Sequence, residues 1–195
     1  MFFKKYLILI FFFNFFNYTA FAEDIRDFQI NGISLGDNLL NFYSRELIQQ
    51  KLKNKEAYYY KNNKYADLIL SPLKKDELYD YLQITISPKN DDYSIKSIAG
   101  QIFFINKMHE CQEKKKEIIS DLKNLFPGKN FVDDFHSHSL DKSGMSKVDQ
   151  SILMLTDGLI RVECYDWSNK YPYQDKLIVA IGSNEFNNFL RDEAY

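Results

Sequence analysis

The chain has 195 residues, with 25 basic and 27 acidic side chains and a formal charge of −2 at pH 7. The charges are interspersed rather than blocked, which excludes the basic footprint that nucleic acid or an anionic membrane surface requires. The length suits one domain or two small ones and is enough to bury a real core.

The chain opens as an export signal. Lys4 and Lys5 precede an apolar run over residues 6–16 broken only by Asn14, and Ala20-Phe21-Ala22 sets small residues at the two positions a signal peptidase reads. Cleavage after Ala22 is expected, leaving residues 23–195 with a net charge of about −4 once Lys4 and Lys5 are gone. The apolar run is about half of the roughly 20 residues a spanning helix needs, so an uncleaved anchor is the disfavoured alternative. No cysteine near Ala22 supports a lipid anchor, and no later apolar stretch is long enough to span. The expected location is the periplasm or the exterior.

Residues 27–33 predict a short strand, and Ser34-Leu35-Gly36-Asp37 has the Ser-x-x-acid form of a helix start. Leu35, Leu39, Tyr43 and Leu47 share a helical face, and Ser44 with Glu46 behind it predicts a second helical segment. Residues 58–70 predict a hairpin turning at Asn62-Asn63. Leu82, Ile84 and Ile86 alternate with Gln83 and Thr85 as a half-buried strand ending at Pro88. A charged turn over 89–92 joins it to a long antiparallel strand over 93–105. Met108, Cys111, Lys115, Ile118, Leu122 and Leu125 then step at three and four residues, giving a helix that Phe126-Pro127-Gly128 ends. Strands follow over 130–138 and 145–155, with Asp157-Gly158 as a two-residue hairpin signal and a returning strand running to Trp167. After a Tyr/Pro loop, Leu177, Val179 and Ile181 alternate on a last strand, and Ser183 caps a closing helix bearing Phe186, Phe189 and Leu190.

These elements predict an α+β fold: a mainly antiparallel twisted sheet, or sheets, built from hairpins with two to three helices packed on one face. The helix-then-hairpins order occurs twice, suggesting similar halves at 23–105 and 106–195 without a residue-level repeat. Gly32-Ile33-Ser34-Leu35-Gly36 has the spelling of a nucleophile elbow, but it lies near the mature N-terminus with no preceding sheet, and Ser34 serves better as a helix cap. Over residues 30–36 alone, the turn into a helix resembles small periplasmic interaction modules of the β-lactamase-inhibitor type, and seven residues assign no family.

Cys111 lies on the apolar stripe of its helix, and Ile160, Val162 and Cys164 alternate on the inward face of a strand. In an oxidising compartment a single inward-facing pair is expected to form a helix-to-sheet disulfide, with two buried thiols as the alternative.

Two sets of residues are candidates for function. Asp134, His136 and His138 fall at alternate positions of one strand, so they project from one face and could ligate a zinc-type ion if a further ligand came from elsewhere. The alternative is a solvated strand face that binds nothing, with no cofactor at all. Tyr165 and Trp167 must face away from Cys164 and Val162, beside Tyr171-Pro172-Tyr173. Exposed aromatics at a strand end suit sugar stacking or a protein interface, the alternative being ordinary packing under another element. No phosphate-binding loop, dinucleotide fingerprint, zinc finger or EF-hand appears.

The expectation is an exported binding protein, not an enzyme, whose Tyr165, Trp167, Tyr171 and Tyr173 surface meets an envelope protein, a peptide or a glycan. The alternatives are a small metal-dependent hydrolase built on Asp134, His136 and His138, and a structural envelope component. The oligomeric state is left open.

Overall fold

The computed structural model describes residues 24–54, 56–74 and 78–194. The expected signal peptide and its cleavage point lie outside these residues. No helix among the described residues is long and apolar enough to cross a membrane.

The fold is α+β, with eight antiparallel strands in one sheet and three α-helices packed against it. Helix α1 (Arg45–Lys53) precedes strands β1 (Ala57–Tyr59), β2 (Ala66–Leu70), β3 (Tyr81–Ile86) and β4 (Ile95–Phe103). Helix α2 (Met108–Leu125) precedes β5 (Phe131–Ser137), β6 (Lys147–Met154), β7 (Gly158–Asp166) and β8 (Lys176–Ser183), and α3 (Asn184–Asp192) closes the chain. Each group of four strands is a simple meander. The spatial order β1-β2-β3-β4-β8-β7-β6-β5 joins the two meanders through their last strands. The repeated helix-then-hairpins order therefore yields a single continuous sheet.

Local chemistry sets the boundaries. Ser44 accepts a hydrogen bond from Leu47 N (3.2 Å) to start α1, and Ser183 accepts one from Phe186 N (3.3 Å) to start α3. Asn62 and Asn63, at φ 59° and 52°, carry the β1–β2 connection through the left-handed region that asparagine tolerates. The strand expected over 27–33 is instead a tight turn: Asn31 and Gly32 take φ 57° and 75°, and Ile30 and Ile33 exchange backbone hydrogen bonds of 3.1 Å. Asp157-Gly158 also behaves differently from its spelling. Leu155 N bonds Gly158 O (2.9 Å), so Thr156 and Asp157 make the corner and Gly158 already belongs to β7. A side chain at Gly158 would collide with the Gly182 carbonyl and with Ile25, which is why the position is glycine.

Strand alternation gives the sheet two unlike faces. One carries Leu68, Leu82, Ile84, Ile98, Leu177, Val179, Ile160 and Val162, all buried under α1, α2 and the N-terminal segment in the main core. Cys111 and Cys164 are bonded beneath α2 with their Cα atoms 6.1 Å apart, so the expected staple from helix to sheet is present. The third helix sits on the rim of the opposite face, where Phe186 and Phe189 pack edge-on against Tyr60 and Tyr65 at ring distances of 4.8–5.9 Å. Its Asn187 donates to the Gly182 carbonyl (2.8 Å) on that face.

The disulfide closes a separation of 53 residues. Replacing both cysteines by serine is expected to lower the unfolding free energy by about 4 kcal/mol. Urea denaturation of the two proteins checks this; coincident midpoints would refute it.

Candidate functional site

On the face opposite α1 and α2, the middle of the sheet is a groove of about 400 Å³. Its floor is shallow-sided at the β4–β8 seam, where Ala99 faces Ala180 and both are buried. Taller residues flank it: Gln83 from β3, Lys176 and Ile178 from β8, Arg161, Glu163 and Tyr165 from β7. His138, Leu140, Trp167 and Tyr173 come from loops and strand ends and form the wall.

A chain of side-chain hydrogen bonds crosses this face on one side of the groove. Asp67 of β2 is buried and accepts from Thr85 Oγ1 (2.6 Å), Tyr60 Oη (2.8 Å) and Gln83 Nε2 (2.7 Å). Gln83 Oε1 in turn accepts from Gln101 Nε2 (3.0 Å), and Gln101 Oε1 accepts from Lys176 Nζ (3.1 Å). An ionised carboxylate can only accept and an ammonium can only donate, so both amides are forced to point their oxygens toward Lys176. Burial pushes the Asp67 carboxyl above the usual range, with the three donors acting against that rise. Burial pushes the Lys176 ammonium below its usual range. The described residues place no carboxylate within salt-bridge reach of Lys176. Glu163, only 2% exposed, is met instead by Arg161 Nη1 (3.5 Å) and Tyr165 Oη (3.2 Å).

The wall is aromatic. The Trp167 ring lies 4.3 Å from His138 and 4.5 Å from Tyr173, with Tyr171 at 6.0 Å and Tyr165 at 6.3 Å. The four aromatic residues singled out from the sequence thus stand together, with His138 added to them. The indole Nε1 of Trp167 is buried with no hydrogen-bond acceptor among the described residues. Burial against these rings pushes the His138 imidazole below its usual pKa, with the neighbouring His136 acting in the same direction. His138 Nδ1 accepts from Leu140 N (3.2 Å), which selects the neutral tautomer protonated on Nε2.

Two aspartates hold this wall in place. Asp141 accepts four hydrogen bonds of 2.6–2.8 Å from the backbone and hydroxyls of Ser143 and Ser146, led by the Ser143 hydroxyl, and these hold its carboxyl well below the usual carboxylate range. Ser146 Oγ accepts from Ser168 N (3.0 Å), tying the β5–β6 loop to the segment after Trp167. Asp175 accepts from Trp167 N (2.8 Å) and Asn106 N (3.1 Å).

Asp134 and His136 lie at alternate positions of β5 and His138 just past its end, but the three do not form a metal centre. Asp134 Oδ2 is paired with His136 Nδ1 at 2.9 Å while His138 is turned onto Trp167 and Tyr165. No group of three or more His, Cys, Asp or Glu side chains able to hold a metal ion occurs among the described residues. His109 is on the exposed side of α2 near Glu113 (3.6 Å).

A second cleft of about 560 Å³ opens on the helix face between α2 and β5–β6, lined by Lys115, Lys116, Lys123, Asp133, Asp149 and Ser151 among others. Lys115 is buried and bonded to Asp149, and Ser151 is bonded to Asp133, so the buried polar groups of this cleft satisfy one another. The groove differs in keeping unspent donors.

The pattern that could have revealed the groove was available. Gln83 and Thr85, Ser97 and Gln101, and Arg161 and Glu163 each occupy the off-core phase of a strand whose other phase is mainly apolar. Their convergence depends on β4 pairing with β8, which no local pattern encodes.

Two outcomes test the wall. Asp141→Asn replaces an acceptor with an amide donor facing Ser146, so iodide quenching of Trp167, the single tryptophan, is expected to rise; unchanged quenching would refute the role of Asp141. Because the folded carboxyl is depressed, its contribution to stability is complete above the unfolded pKa of about 3.9 and is lost as pH falls below that. The His138 ring is expected to titrate by NMR with a midpoint below the free value of about 6.5. Its lowered folded pKa means that stability falls as pH drops from that value through the folded midpoint. No protein-family model, curated protein or solved structure matches the chain.

Proposed function

We propose that this is an exported binding protein of the cell envelope, with the open-face groove as its ligand seat and a glycan as its ligand. The leader at residues 1–22 supports the location, and the disulfide suits an oxidising compartment. The observation that carries the reading is the aromatic wall: the Trp167 ring lies 4.3 Å from His138 and 4.5 Å from Tyr173, beside polar groups of both signs. Sugars present apolar C–H faces to rings and hydroxyls that both donate and accept, which is the mixture this groove offers. The volume of about 400 Å³ matches small-ligand sites and holds one or two sugar rings rather than a folded partner.

Titration of the mature protein with soluble envelope oligosaccharides, followed through Trp167 emission and calorimetry, tests the proposal. Tyr173→Ala is expected to weaken binding about tenfold, equivalent to ~1.4 kcal/mol. Trp167→Ala, read by calorimetry, is expected to weaken it further. Absence of saturable binding to any saccharide, with a protein or peptide captured instead, would overturn it.

A further inference from the structure

Resting on the glycan reading above, we propose that the groove selects an acidic saccharide, a sugar unit bearing a carboxylate that Lys176 receives. The charge balance of the groove carries this. Its charged side chains are Arg161, Glu163 and Lys176. Arg161 and Glu163 face each other at 3.5 Å, and Tyr165 Oη adds a second donor to the carboxylate. Among the described residues Lys176 is therefore the cation of the site that no carboxylate compensates. One of its three N–H groups is spent on Gln101 Oε1 (3.1 Å), leaving the others for a ligand.

The hydrogen-bond chain makes that assignment directional. Asp67 at the far end orients both glutamine amides so that Gln101 offers Lys176 an oxygen, which fixes the ammonium without neutralising it. A neutral acceptor leaves full positive charge in a partly desolvated position, where a carboxylate is attracted strongly. The ligand must therefore bring acceptors in excess and one negative charge, together with a face that stacks on Trp167 and Tyr173. A uronic acid unit meets these demands, since its ring face stacks on Trp167 and Tyr173 while its carboxylate meets Lys176. An acidic peptide side chain supplies the charge without the hydroxyls or the stacking face.

The test uses the full mature chain with galacturonate and glucuronate oligosaccharides and their carboxyl-reduced counterparts, measured by calorimetry. The acidic forms are expected to bind at least about tenfold more tightly than the reduced forms. Lys176→Gln is expected to abolish that difference while Lys176→Arg preserves it, with Trp167 emission and the thermal midpoint confirming that each variant is folded. Equal affinity for acidic and reduced sugars would overturn the charge selection and leave the glycan reading standing. Binding of neither sugar, with tight binding of a glutamate-rich peptide, would overturn both. An acid preference that persists in Lys176→Gln would refute the role of Lys176.

Discussion

The ladder between β4 and β8 is the constraint on which both faces of the sheet depend. It pairs seven residues on each strand, from Ser97 with Gly182 to Phe103 with Lys176, and among the described residues it is the strand ladder that joins two otherwise locally connected meanders. Because side chains alternate with a period of two, a slip of one residue would send Ile181 or Ile98 to the groove and Lys176 or Gln101 into the core. The apolar phase of each strand forbids that slip. The seam also sets the depth of the groove, through Ala99 and Ala180, and seats α3, because Gly182 leaves room for Asn187 where a Cβ would stand 2.9 Å from its Oδ1.

The two faces solve different physical problems. The helix-covered face is stabilised by apolar burial at roughly 25 cal/mol per Å² and is held by the disulfide beneath α2. The open face buries Asp67, Glu163 and Gln101, which costs free energy unless every polar atom finds a partner. A chain from Tyr60 and Thr85 through Asp67 to Lys176 meets most of that demand. Among the described residues, Lys176, at the end of that chain and beside the aromatic wall, meets a neutral acceptor and no carboxylate.

Much of this was legible in the sequence, for reasons that can be named. Alternation identified β3, β4, β7 and β8 because one phase of each is mainly apolar, and Cys111 and Cys164 were paired because each fell in the core phase of its own element. Tyr165 and Trp167 were placed opposite that core by the same parity. Lys115 shows where the logic stops. It steps in phase with Cys111 and Leu122, and it is buried as that phase requires, but only because Asp149 of β6 receives it. A polar residue at a core position signals a partner, not its address. His138 was grouped with His136 as a metal ligand from spacing alone, whereas the loop following it turns the ring onto Trp167. The pairing of β4 with β8 spans too much chain for any local signal, and with it went Gln83 and Gln101 as groove residues.

The relay of amides gives the groove a property that its own lining does not disclose. Asp67 lies three strands away from Lys176, yet it decides which end of each intervening amide faces the ammonium. Reversing that polarity would present an N–H to Lys176 and turn a tolerant neighbour into a repulsive one, without altering any residue that a ligand touches. Under the proposed binding role, recognition is written partly in the orientation of groups outside the groove lining, and distance from the groove is no measure of neutrality.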